Sequence, residues 1–137
     1  VRERKESVAK QQLAAAISLR SSTEADLATT DADLEHARAE QRTLAAEHKP
    51  VSATDMLAHQ AFLERIEAQR GVRARELEQR EADVADRGAK LLTAASEHEM
   101  LKRLRERQRG EHDREAARSE RYALDEIAAT RFGRSTA

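Results

Sequence analysis

The chain has 137 residues, with 25 basic and 26 acidic side chains and a formal net charge of −1. Charged residues make up 37% of it and aromatics only 2%, with two Phe, one Tyr, no Trp and no Cys. That composition excludes a wide globular core, a disulfide framework and a thiolate metal site, and the length suits one structural unit over 1–137.

The absence of cysteine fits a reducing compartment. No apolar run approaches the roughly 18–20 residues of a membrane span, and no signal-peptide core is visible, so direct membrane insertion is not expected and the chain reads as soluble and cytoplasmic. It begins at Val1 rather than Met, from which further native N-terminal residues are expected. Charge is unevenly placed: residues 101–137 hold ten basic against seven acidic side chains. That excess is too mild for a dedicated nucleic-acid binder.

The first predicted element is a helix over about residues 2–48. Its apolar positions are Leu13, Ile17, Leu27, Leu34 and Leu44, with Leu27 and Leu34 a heptad apart and Ala37 on the same stripe. Arg20, Thr30 and Gln41 fall on or beside that stripe, so the seam is thin. The helix is expected to end at His48-Lys49-Pro50, because the residue before a proline is pushed out of the α region and basic side chains suit a helix C-terminus. A turn over about residues 49–53 follows. Ser52-Ala53-Thr54-Asp55 then has the spacing of a capping box, a Ser whose hydroxyl accepts from the third helical N–H.

The second predicted helix covers about residues 54–132 and contains no proline. Met56, Phe62, Leu63, Ile66, Leu77, Val84, Leu91, Leu101 and Leu104 are its apolar positions, and Leu77, Val84 and Leu91 keep a strict spacing of seven. Gly71, Gly88 and Gly110 each cost about 1 kcal/mol against Ala. Glu76–Arg80, Asp83–Arg87, Asp86–Lys90 and Glu99–Arg103 are i,i+4 pairs worth roughly 0.3 kcal/mol each. Gly133 is the expected stop.

A short turn at the single proline makes the helices antiparallel neighbours, and paired positions in such a hairpin have a constant index sum. Leu13 with Leu91 and Leu27 with Leu77 both give 104, Ile17 with Val84 gives 101 and Leu44 with Phe62 gives 106. The fold class is therefore all-α: two long helices in an antiparallel coiled-coil hairpin, the second longer. Residues beyond about Leu101 are expected to have no partner within the chain, a stretch of roughly 45 Å at the helical rise.

Chemistry is absent from the pattern. Five histidines lie at 36, 48, 59, 98 and 112, never two within one helical turn, and no His-Glu-x-x-His or Glu-x-x-His occurs. Glu97-His98-Glu99 points in three directions on a helix, and His98 extends the Leu77–Val84–Leu91 stripe. The glycines are isolated, so there is no phosphate loop. No catalytic residue, metal ligand or cofactor site is expected, and the chain is not an enzyme. Lys102, Arg103, Arg105, Arg107 and Arg109 put five basic charges in eight residues against Glu106 alone. On a helix they spread around most of the circumference, which fits either a solvated surface or a segment surrounded by a partner.

The stretch Glu120-Arg121-Tyr122-Ala123-Leu124-Asp125-Glu126-Ile127-Ala128 resembles the C-terminal signature of the FliJ family of flagellar type III export components. Val1-Arg2-Glu3-Arg4-Lys5-Glu6 resembles the segment after that family's short hydrophobic N-terminus, and His59-Gln60-Ala61-Phe62-Leu63 its aromatic-x-x-Phe motif, with His59 where an aromatic is usual. The resemblance implies a stalk similar to the central stalk of rotary ATPases, one end in a hexameric export ATPase and the turn region at the cytoplasmic domain of the export gate. Export chaperones are further implied partners, and the location implied is cytoplasmic and peripheral to the inner-membrane export apparatus. Leu124, Asp125, Glu126 and Ile127 would lie on the ring side beside Arg103, Arg105 and Arg107. Phe62 and Ile66 would be gate contacts, against which stands plain seam packing, above all for Ile66. The competing readings are a generic coiled-coil spacer or dimerisation rod and, last, a nucleic-acid-associated hairpin using the basic end.

Overall fold

The computed structural model describes residues 1–47 and 50–135. It holds two α-helices, α1 over Arg2–Ala46 and α2 over Ala53–Ser135, packed together as a hairpin with the second helix longer. The helix end expected at His48 and Lys49, and the macrodipole argument attached to it, lie outside the described residues. Pro50 is not helical, as its fixed φ and missing N–H favour. On the far side of the turn Ser52 caps α2: the Asp55 N–H donates to Ser52 Oγ at 3.1 Å and the Met56 N–H to the Ser52 carbonyl at 3.1 Å. At its other end α2 runs through Gly133 to Ser135 rather than stopping there. A glycine lowers helix propensity but ends a helix only when it turns left-handed at the cap.

The chain divides into two compact units, residues 3–94 and residues from 95 onward. In the first unit a row of shielded positions on α1 runs Glu6, Ala9, Leu13, Ala16, Arg20, Thr23, Leu27, Thr30, Leu34 and Ala37, with Asp31 and Ala39 half-buried beside it. The spacing of the row alternates three and four, the signature of a two-stranded seam. Seven of these ten residues are small or polar, so the row buries little apolar area. Among the described residues the clustered buried core is Leu34, Ala37, Leu63 and Ile66.

Two expected seam pairs do not form. Ile17 is 46% exposed and Leu44 and Phe62 are each 45% exposed, so neither Ile17 with Val84 nor Leu44 with Phe62 builds the interface. Ala16 takes the seam position beside Ile17, because the three-four alternation from Leu13 lands on 16. Gln41 is likewise exposed. Leu13, Leu27, Leu77, Val84 and Leu91 are half-buried, in line with the expected register.

Polar bonds across the helices fix the antiparallel order. Arg38 pairs with Glu67 at 3.2 Å, Arg70 with Asp31, Arg73 with Asp26 at 3.9 Å, and Arg87 donates to Gln12 Oε1 at 3.0 Å. As the position on α1 falls from 38 to 12, its partner on α2 rises from 67 to 87, as in the register expected from the leucines. All four i,i+4 pairs expected on α2 are present, from Lys90–Asp86 at 2.9 Å to Arg80–Glu76 at 3.9 Å.

In the second unit, every described side chain from Lys102 to Arg134 is exposed, Gly110 being half-buried.

Two outcomes follow from this division. Leu34→Ala or Ile66→Ala should lower stability by about 2–4 kcal/mol, whereas Ile17→Ala should change it by no more than about 0.5 kcal/mol. Urea unfolding followed by circular dichroism at 222 nm checks both, and a large loss for Ile17→Ala would contradict the seam. Under brief trypsin treatment the first cuts should fall between Lys102 and Arg121, with the fragment holding residues 3–94 surviving longer. Mass spectrometry of the fragments reads the order.

Candidate functional site: partner-contact surfaces

Among the described residues no group of histidines and acids is placed to hold a metal ion, and no helix is long and apolar enough to cross a membrane. What the molecule offers a partner is surface.

Near the turn, Phe62 and Ile66 sit one helical turn apart on α2 yet part ways. Ile66 is 6% exposed and belongs to the buried cluster with Leu34, Ala37 and Leu63, while Phe62 is nearly half exposed. A partner approaching the closed hairpin therefore meets Phe62 and not Ile66. His59, which stands in for an aromatic, is half-buried, and its Nε2 is shielded without a hydrogen-bond partner. It lines an open groove with Leu44, Val51, Met56 and Leu57. Those four apolar side chains remain substantially exposed, Leu57 the most at 71%. Met56, Leu57 and Val51 escaped the functional reading of the sequence. The available signal was that Leu57 falls off the heptad positions, so α1 has no means of covering it.

The second unit carries the other candidates. Arg103, Arg105 and Arg107 are all exposed, and only Arg103 is tied down, by Glu99 at 3.3 Å. At about 100° per residue, Arg103 and Arg107 share one side and Arg105 takes the opposite one. Lys102 and Arg109 lie near Arg105, so positive charge occupies two opposite sides of the helix, while Leu101, Leu104 and Gln108 take the side between Arg107 and Arg105. Leu124 and Ile127, three apart, share a face and are more than half exposed, whereas Asp125 and Glu126 point elsewhere. A second apolar strip, unremarked in the sequence reading as a surface, runs along Met100, Leu101 and Leu104 beside Arg103 and Arg107.

These surfaces offer a partner solvated charge and exposed apolar side chains. A helix with positive charge on two opposite sides and apolar side chains at two places along it suits a partner that contacts it from more than one direction. The exposed apolar groove at the turn suits a docking contact from one side.

The family model described as flagellar FliJ protein matches residues 1–137. No curated protein and no solved structure matches the chain. The chain belongs to the flagellar FliJ family, whose members are non-enzymatic stalk components of the flagellar export apparatus.

Proposed function

We propose that this FliJ-family chain links the hexameric export ATPase to the export gate, with opposite regions of sequence serving the two partners. The ring-side contact comprises Arg103, Arg105 and Arg107 together with Leu124, Asp125, Glu126 and Ile127. The gate-side contact is Phe62, with the exposed Leu44–Met56–Leu57 groove beside it. Ile66 acts there by holding α2 against Leu34 and Ala37, which fixes the position of Phe62. The work is done in the cytoplasm at the inner-membrane export apparatus, and export chaperones compete for or share the same exposed surfaces.

One observation carries this reading: basic side chains stand exposed on opposite sides of the helix at 102–109, and among the described residues only Arg103 is tied to an internal partner. A coiled-coil spacer gains nothing from such placement, since like charges within one turn repel and lower helix stability. A shaft enclosed by acidic surfaces gains on every side, and the same charges steer it into a narrow opening. Exposed Leu124 and Ile127 add apolar contact further along, where charge alone would give weak, salt-sensitive holding.

Reversing Arg103, Arg105 and Arg107 to Glu should weaken binding to the cognate ATPase hexamer by about tenfold or more and reduce its stimulation, with a marked dependence on salt. Helicity of residues 3–94 should be unchanged. Phe62→Ala should leave ATPase stimulation intact and weaken binding to the gate's cytoplasmic domain by about tenfold. Surface-immobilised binding and ATP-turnover assays read both effects. If the triple reversal bound the ring as tightly as the parent at low and moderate salt, the basic segment would be solvated surface, and a plain spacer role would be favoured.

A further inference from the structure

Two exposed apolar surfaces on this chain carry edges of opposite charge. The groove near the turn, about 680 Å³, is lined by Leu44, Val51, Met56 and Leu57, with Asp55 on its wall. Among the described residues no lysine or arginine lines it. A neighbouring hollow shares Leu44 and adds Glu40 and Glu47. Over residues 39–47 and 51–64 the acids Glu40, Glu47, Asp55 and Glu64 stand against Arg42 alone, and Arg42 is held by Glu35 at 3.0 Å.

The other surface lies within the second unit. Met100 and Leu104, one helical turn apart, project on one side at 70% and 45% exposure, with Leu101 beside them. Arg103 and Arg107 run along one edge of this strip, against Glu97 alone among its lining residues. Arg103 is bonded to Glu99 at 3.3 Å, and Arg107 is exposed. The strip is a helix face with side chains at i and i+4, the form that fills an apolar groove.

Both surfaces leave large apolar side chains in water, and covering them contributes roughly 25 cal/mol per Å². Charge then selects among the ways two copies can meet. Groove on groove is a two-fold contact that sets Asp55 and Glu40 against their own counterparts. Strip on strip does the same to Arg103 and Arg107. Groove on strip covers apolar with apolar and brings acids to bases, so it alone escapes like-charge repulsion.

We propose that the Met100–Leu104 strip of one copy docks in the turn groove of a second copy. The contact is heterologous: a pair still has one free groove and one free strip, so association runs head to tail and grows past the dimer unless a ring closes. The patches are small, which makes the contact weak and dependent on concentration. It covers Arg103, Arg107 and the groove beside Phe62, so on the partner contacts proposed above, chains joined in this way are withheld from both partners. The association itself does not rest on those contacts and is measured on the chain alone.

Sedimentation velocity of the 137-residue chain at rising concentration tests it. The parent should sediment faster as concentration rises, with species larger than a dimer at the top of the range. Met56→Ser with Leu57→Ser disables the groove, and Met100→Ser with Leu104→Ser disables the strip. Each pair of substitutions should weaken association at least about tenfold. All four positions are exposed, so circular dichroism should show unchanged helicity. Mixed in equal amounts, the two variants should form a one-to-one pair and nothing larger, because one brings an intact strip and the other an intact groove. Arg103→Glu with Arg107→Glu should weaken the parent's association about tenfold, and Arg103→Lys with Arg107→Lys should retain it. A parent that stays monomeric throughout would overturn the proposal. So would a strip variant that associates as the parent does, which would make the contact groove to groove, or a mixture in which the two variants ignore each other.

Discussion

Two helices packed only against each other can each bury one narrow stripe, and every other property of this chain answers to that limit. In the first unit the stripe falls on every third or fourth residue, and seven of its ten α1 positions are Ala, Thr or charged. Apolar burial contributes roughly 25 cal/mol per Å², so Leu34, Leu63 and Ile66 carry far more than their number suggests. The consequence is concentration: stability gathers near the turn, where a short connection already holds the two strands together. Ile66 thereby becomes the residue on which the position of Phe62 depends, though it is itself hidden.

The charged residues then settle what the thin seam leaves open. A coiled-coil seam of repeating heptads can slip by seven residues and still bury leucines. Arg38–Glu67, Arg70–Asp31 and Arg73–Asp26 change sign along the hairpin, with base on α1 at the first and acid at the other two. A seven-residue slip would separate all three. Exposed pairs of this kind contribute little to stability, but they discriminate between registers that the apolar contacts rate alike. The leucines thus supply cohesion and the ion pairs supply address.

The hairpin and its register were legible because leucines seven apart announce themselves. Leu13 with Leu91 and Leu27 with Leu77 needed no structure. Ile17, Leu44 and Phe62 misled for a physical reason: a large apolar side chain was taken as evidence of burial, while the seam uses Ala16 beside Ile17 and Leu63 beside Phe62 and leaves all three larger side chains nearly half exposed. Alanine and threonine on a seam carry no hydrophobic signal, so the row Ala9, Ala16, Thr23, Thr30 and Ala37 emerges only from the packing. The basic run at 102–109 was visible as sequence, and its spread over opposite sides followed from helical geometry alone. The apolar groove at the turn was not, since Leu44, Val51, Met56 and Leu57 come from three separate segments that only folding gathers.

The same helix, α2, meets two opposed demands, and its composition changes where they change. Over residues 63–91 it must offer one consistent face to α1, which Leu63, Ile66, Leu77, Val84 and Leu91 provide. From Lys102 onward it offers all its faces, and the strict apolar repeat gives way to charge in every direction. A contact formed from one side needs a patch, and a contact that encloses needs no preferred side. Phe62 with its groove has the form of the first, and the basic side chains on opposite sides of residues 102–109 suit contact from more than one direction. A partner that neutralised those arginines would remove a repulsion that the free helix bears. A segment so exposed would gain more from such a partner than the seam of the first unit would.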